Sequence, residues 1–199
     1  MSGERVTFYF DLGSPYAYLT AERISGVFTD AELEQPEWQP ILLGGLFQRF
    51  GRDSWANGPG REEGIAEVER RAAAYGLPRL AWPEPWPGNT LFAMRAATFA
   101  KQTGRSVSFA LAAFRQAFAA GRDLTEADNV LLAAAACELH PNAVQKAVGT
   151  ESVKGALRAT TEEAAEGGVI GVPTLLVGGE AFWGDDRVEE AVEAAKSMI

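Results

Sequence analysis

The feature that most constrains this chain lies near its start. Val6-Thr7-Phe8-Tyr9-Phe10-Asp11 is an alternating run rich in β-branched and aromatic residues, and it breaks at Leu12-Gly13-Ser14-Pro15. Such a run is a strand by its period of two, and the break is a tight turn. From Pro15 to Ile24 the apolar residues fall at helical spacing, with serine at the favoured N-cap and proline at the first helical position. A serine hydroxyl is thereby held at the open start of a helix, beside unpaired N–H groups and the positive end of the macrodipole, where an anion is stabilised. A thiolate, a carboxylate or a phosphate satisfies that geometry equally, and an ordinary structural cap satisfies it with no ligand at all.

Composition narrows the partners. The chain has 199 residues, 47% of them apolar, enough for a buried core. With 18 basic against 27 acidic residues and a formal charge of −9, non-specific attraction to nucleic acid or anionic lipid is not expected. No run approaches the roughly 18 apolar residues of a membrane span. Met1-Ser2-Gly3-Glu4-Arg5 leads straight to the first strand without a charged and then apolar leader pattern, so a cytoplasmic protein is expected. The single cysteine, Cys137, excludes an internal disulfide and a C-x-x-C redox pair, and its place in an alanine- and leucine-rich helical run suits a buried structural thiol. The single histidine, His140, precedes Pro141 and reads as a helix C-terminal cation or cap. One His and one Cys supply no transition-metal ligand set, so no metal is expected. A serine hydrolase is set aside for want of a general base and a G-x-S-x-G context.

Further along, Gly26–Gln35 reads as a polar connection and Pro36-Glu37-Trp38-Gln39-Pro40-Ile41-Leu42-Leu43-Gly44-Gly45 as a second, buried strand ending in glycines. The opening is thus β-α-β with parallel strands. From Leu46 to about Gly168 the patterns are helical. A short helix is expected at Leu46–Phe50, a loop at Gly51–Gly60 and a helix at Glu62–Tyr75. A proline-punctuated, extended crossing follows at Ala81–Gly88, with Trp82 and Trp86 as a pocket floor. Asn89-Thr90 caps a helix to about Thr103, and Ser106–Ala120, Thr125–Leu139, Pro141–Val148 and Ser152–Gly167 supply four more. Thr125-Glu126-Ala127-Asp128 reads as a capping signal. Pro173–Val177 and Glu180–Trp183 form a hairpin across Gly178-Gly179, and Val188–Met198 is a last helix with Asp185 and Asp186 just before it.

The order β-α-β, helices, β-β-α, with Val172-Pro173 at the entrance to the third strand, resembles a thioredoxin-like α/β fold carrying a large all-helical insertion. Residues 1–45 and 169–199 would form the discontinuous thioredoxin-like unit and 46–168 the insertion. Phe10-Asp11-Leu12-Gly13-Ser14-Pro15-Tyr16-Ala17-Tyr18-Leu19, Asn89-Thr90-Leu91-Phe92-Ala93-Met94-Arg95, and Gly171-Val172-Pro173-Thr174 with Phe182-Trp183-Gly184-Asp185-Asp186-Arg187 together resemble the 2-hydroxychromene-2-carboxylate isomerase family, relatives of kappa-class glutathione transferases and of DsbA-type oxidoreductases. The likeness spans nearly the whole chain.

The resemblance implies reduced glutathione as cofactor. Ser14 falls where DsbA-type enzymes carry a nucleophilic cysteine, and in these relatives that serine hydrogen-bonds the glutathione thiolate. It further implies a cis peptide at Val172-Pro173 with a strand edge for the tripeptide, and a grip on the γ-glutamyl end by Trp183, Gly184, Asp185 and Asp186. Asn57 and Arg61 are further glutathione candidates, and Phe47, Gln48, Trp82, Trp86 and Asn89 are candidate walls for an aromatic substrate. Two positions depart from the family pattern: a tyrosine expected near Gly64 is missing, and Gln48 stands where a basic residue often follows Phe47. The implied function is a glutathione-dependent isomerase of an unsaturated aromatic acid, in aromatic catabolism. A kappa-like glutathione transferase and a non-catalytic thiol- or peptide-binding module are the alternatives. Relatives of this type are commonly homodimers.

Overall fold

The computed structural model describes residues 6–198. The first strand, β1 (Thr7–Phe10), pairs in parallel with β2 (Glu37–Pro40) and antiparallel with β3 (Thr174–Val177), which pairs antiparallel with β4 (Glu180–Trp183). The sheet order is β2-β1-β3-β4, with α1 (Pro15–Asp30) bridging the parallel pair. Alternation along β1 sends Phe8 and Phe10 into the main core, where Phe8 meets Trp38 edge-on at 4.9 Å and Phe10 lies 5.9 Å from Phe114. Tyr9 packs on a smaller cluster built from Ile41, Leu46, Ala164 and Val169.

Between the sheet halves run α2 (Leu43–Phe50), α3 (Arg61–Ala74), α4 (Leu91–Gln102), α5 (Ser106–Phe114), α6 (Ala127–Ala136), α7 (Pro141–Ala147) and α8 (Glu151–Glu166). After β4 comes α9 (Val188–Lys196). α4 and α8 pack against β2, α5 against α1, and α9 against β3 and α1. The main cluster therefore runs without interruption from the sheet residues into Met94, Phe109, Phe114 and Phe118 of the helical block. Among the described residues no strand lies between 41 and 173, and no helix is long and apolar enough to cross a membrane.

Several local expectations change. α1 does not stop at Ile24 but runs on through Gly26 to Asp30, because Phe28, one turn past Ile24, is fully buried and continues the apolar stripe. The second strand ends at Pro40, not at the glycines. The Leu43 N–H donates to the Asp11 carboxylate at 2.8 Å, which turns the chain into α2, and Gly44 and Gly45 lie in that helix's first turn. The expected loop at 51–60 contains a 3-10 turn at Trp55–Asn57 capped by Ser54. α5 gives way at Arg115–Ala119 to a π-helical turn, and the Phe118 carbonyl accepts the Ala81 N–H. Thr125 does not cap α6: its hydroxyl donates to Asp123 and the cap position is Glu126, with no side-chain bond. His140 is not a C-terminal cation but the N-cap of α7, its Nδ1 accepting the Asn142 N–H at 3.2 Å.

Candidate active site

The first turn of α1 sets the site. Ser14, in extended backbone conformation, accepts the Ala17 N–H on its Oγ at 3.2 Å. It is 4% exposed and lines a cavity of about 640 Å³. Among the described residues its hydroxyl hydrogen has no acceptor, so an O–H donor is left to face the cavity. Beneath it Asp11 is buried and accepts the Gly13 and Leu43 N–H groups at 2.8 Å each and the Thr90 hydroxyl at 3.1 Å. Burial pushes the Asp11 carboxyl above its ordinary value, opposed by those three donors. Asp11 thus ties the end of β1 to the starts of α2 and α4, and fixes the turn that carries Ser14.

The opposite wall is the chain entering β3. Val172-Pro173 is a cis peptide, and among the described residues the Val172 N–H and C=O take no backbone partner. Both residues line the cavity with Gly171, over which the Trp183 ring lies: a Cβ on Gly171 would stand 2.6 Å from the Trp183 Nε1.

Asp185 and Asp186 divide their tasks. Asp185, 1% exposed, accepts from the Arg71 Nη1 at 2.6 Å and the Tyr75 hydroxyl at 2.8 Å, while its carbonyl accepts from Arg23 at 3.0 Å. Burial raises its carboxyl despite Tyr75 and Arg71, and the same contact, after burial, pushes the Tyr75 hydroxyl up to about 12. Asp185 is an anchor. Asp186, its side chain 60% exposed, reaches Arg71 only at 3.6 Å and presents its carboxylate at the cavity.

The remaining walls are aromatic. Trp86 donates its indole N–H to the Gly13 carbonyl at 3.2 Å, Trp55 stands 5.4 Å from it, and Phe47 closes the α2 side. Asn57 also lines the cavity. Arg61, Gln48, Trp82 and Asn89 do not. Arg61 donates to the Ala56 carbonyl and lies over Trp86 from behind; Gln48 is on the exposed side of α2; Trp82 backs Trp86 and donates to Glu69; the Asn89 carboxamide accepts the Leu91 N–H at the start of α4. Asp11 and Thr90 lie within the quoted motifs, Thr90 also as part of a helix cap, but neither is given a role in the site by the sequence; Arg52, Trp55 and Arg71 are not singled out at all. Of these three only Trp55, an aromatic in a glycine- and asparagine-rich loop, carries a local signal. Trp55 also accounts for Gly64: a Cβ there would lie 2.2 Å from the Trp55 ring, so the indole fills the space over the glycine. Among the described residues no group of His, Cys, Asp or Glu is placed to hold a metal ion.

A sheet of this order, with a cis-proline entering one strand opposite a helix that begins at the end of another, defines a thioredoxin-fold protein with a ligand cleft. The DSBA-like thioredoxin domain model matches residues 5–196, and the chain belongs to that family. It is 27% identical over 191 residues, 92% of this chain and 94% of the relative, to a 2-hydroxychromene-2-carboxylate isomerase of Sphingobium xenophagum. A solved 2-hydroxychromene-2-carboxylate isomerase superposes with a TM-score of 0.86 at 22% identity, covering 97% of this chain and 95% of the other. A protein from Streptomyces coelicolor described as a probable DsbA oxidoreductase superposes at 0.75 and 20% identity, covering 98% and 89%.

Proposed function

We propose that this protein is a glutathione-dependent isomerase acting on an unsaturated aromatic acid of the 2-hydroxychromene-2-carboxylate kind. The observation that carries the reading is Ser14, a buried hydroxyl whose hydrogen has no acceptor among the described residues, at a helix N-terminus and facing a cavity of small-molecule size. Near full-length similarity to an isomerase of that name supports it.

The residues present fit a peptide thiol. The Val172 N–H and C=O are placed for an extended peptide to pair with by strand addition, and the Asp186 carboxylate suits an α-ammonium group. Bound glutathione would supply a thiolate that adds to a polarised double bond and leaves after the bond has rotated, with no net redox change. Ser14 serves that chemistry by donating its hydroxyl to the sulfur anion. The α1 N-terminus adds its positive potential, and together they favour the ionised over the neutral thiol. Trp55, Trp86 and Phe47 hold a planar ring against the reacting centre and keep water from it.

Ser14→Ala is the test. The variant keeps the fold, with loss of a cap costing about 1 kcal/mol, and its glutathione-dependent isomerisation of a hydroxychromene-type acid falls by more than about tenfold through loss of an anion donor. In the wild type the thiolate absorbance of bound glutathione rises at lower pH than in free solution, and in the variant that shift shrinks. Unchanged turnover and an unchanged thiol titration would refute the role.

A further inference from the structure

Among the described residues two arginines reach the cavity, and their charges are met differently. Arg71 lies among carboxylates, with N–O distances of 2.6 Å to Glu67, 2.6 Å to Asp185 and 3.6 Å to Asp186. Arg52 has no carboxylate within 4.0 Å among the described residues. It is exposed, yet its side chain is held in place. Its Nη1 donates to the Ile170 carbonyl at 2.9 Å, and its guanidinium rests 4.9 Å from the Trp183 ring centroid. That ring is in turn seated over Gly171. A guanidinium has five N–H donors in a planar fork, so one bond to a carbonyl leaves a pair available for a bidentate acceptor. The carboxylates that share the cavity do not meet it: Asp11 and Asp185 are engaged by their own donors, and Asp53 and Asp186 form no ion pair with it.

We propose that Arg52 is the carboxylate receptor of this cavity, oriented in advance by the Ile170 carbonyl and the Trp183 face. The inference rests on the thiol-dependent isomerase reading for the identity of its ligands. Its chemistry is a planar carboxylate, which both partners of the proposed reaction carry: the terminal carboxylate of the peptide thiol and the acid group of the aromatic substrate. Pre-orientation lowers the entropy cost of holding the anion, and the ring adds a cation–π contact that holds the guanidinium plane in place.

The experiment is calorimetric titration of wild type, Arg52→Gln and Arg52→Lys with four probes: reduced glutathione, its glycyl ethyl ester, trans-2-hydroxycinnamate and the methyl ester of that acid. Loss of a charge-assisted bidentate contact weakens one acid by about tenfold or more in Arg52→Gln, with Arg52→Lys intermediate. The matching ester binds wild type and variant alike. A selective loss for glutathione assigns the peptide carboxylate, and a selective loss for the cinnamate assigns the substrate acid. Glutathione and cinnamate binding equally to wild type and Arg52→Gln overturns the receptor while leaving the thiol site standing. A cinnamate that depends on Arg52 in a protein that does not bind glutathione upholds the receptor and overturns the thiol reading. Binding of neither acid to the wild type overturns both.

Discussion

Tyr75 shows how a side chain outside the cavity governs one inside it. Its hydroxyl donates to Asp185 at 2.8 Å, and Arg71 fills the other carboxylate oxygen, so the segment that presents Asp186 is held from beneath. Burial first, and that bond second, lift the Tyr75 hydroxyl from 10.0 to about 12. The folded form therefore holds this proton more tightly than the unfolded chain. Its contribution to stability is complete below pH 10 and is lost as pH rises through about 12. Spectrophotometric titration of tyrosinate should show a late step that Tyr75→Phe removes, and the variant's stability should decline less between those pH values. At this scale the sequence was legible where chemistry is local: Ser14, Pro173 and Asp186 stand beside their own turn signals. Arg71 and Arg52 were not, because the contacts that bring them to the cavity are with Asp185 and Ile170, more than a hundred residues away, and the Glu67 partner of Arg71 marks only a helix-face pair. Asp11 was read as the end of a strand, and nothing near it announces that its oxygens organise the starts of two helices.

Among the elements, helix existence was plain and helix ends were not. The alanine-rich stretches fold as their periodicity requires, yet α1 outruns its expected end because Phe28 finds the core, and α2 begins early because Asp11 supplies the first-turn acceptor. Thr125 carried the right spacing for a cap and is bonded to Asp123 instead, a short-range competitor that a spacing rule does not weigh. The α3 start offers a sharp test of packing against propensity. Gly64→Ala should gain up to about 1 kcal/mol as a helix former, but the new methyl meets the Trp55 ring at 2.2 Å. Trp55 is itself wedged between Tyr16 and Trp86. Overpacking of this kind costs about 1–3 kcal/mol, so the substitution should destabilise the wild type. In a Trp55→Ala background the same substitution should stabilise. Urea denaturation in both backgrounds measures the reversal, and equal effects would mean that the indole yields freely.

For the molecule as a whole, the sequence suggested a thioredoxin-like unit of residues 1–45 and 169–199 enclosing a separate helical block. The topology is read correctly by the β-α-β and β-β-α flanks, but how far the two parts share a core was not legible. Phe10 on the sheet and Phe114 in the block touch, as do Tyr18 and Phe118, and the buried cluster crosses between them without a gap. Unfolding should accordingly be one cooperative transition, with tryptophan fluorescence and far-ultraviolet circular dichroism superimposing across a urea titration. Two separated transitions would show that the block melts alone. The placement of Cys137 bears on how the molecule meets its surroundings. Its thiol is buried at the end of α6, donates to the Ala133 and Ala134 carbonyls at 3.4 and 3.2 Å, and is pushed above its ordinary acidity range by that burial. With serine at the head of α1 and the one sulfhydryl sealed away, the cleft brings no thiol of its own: any exchange with a disulfide presented there has to be carried by a sulfur that arrives with the ligand.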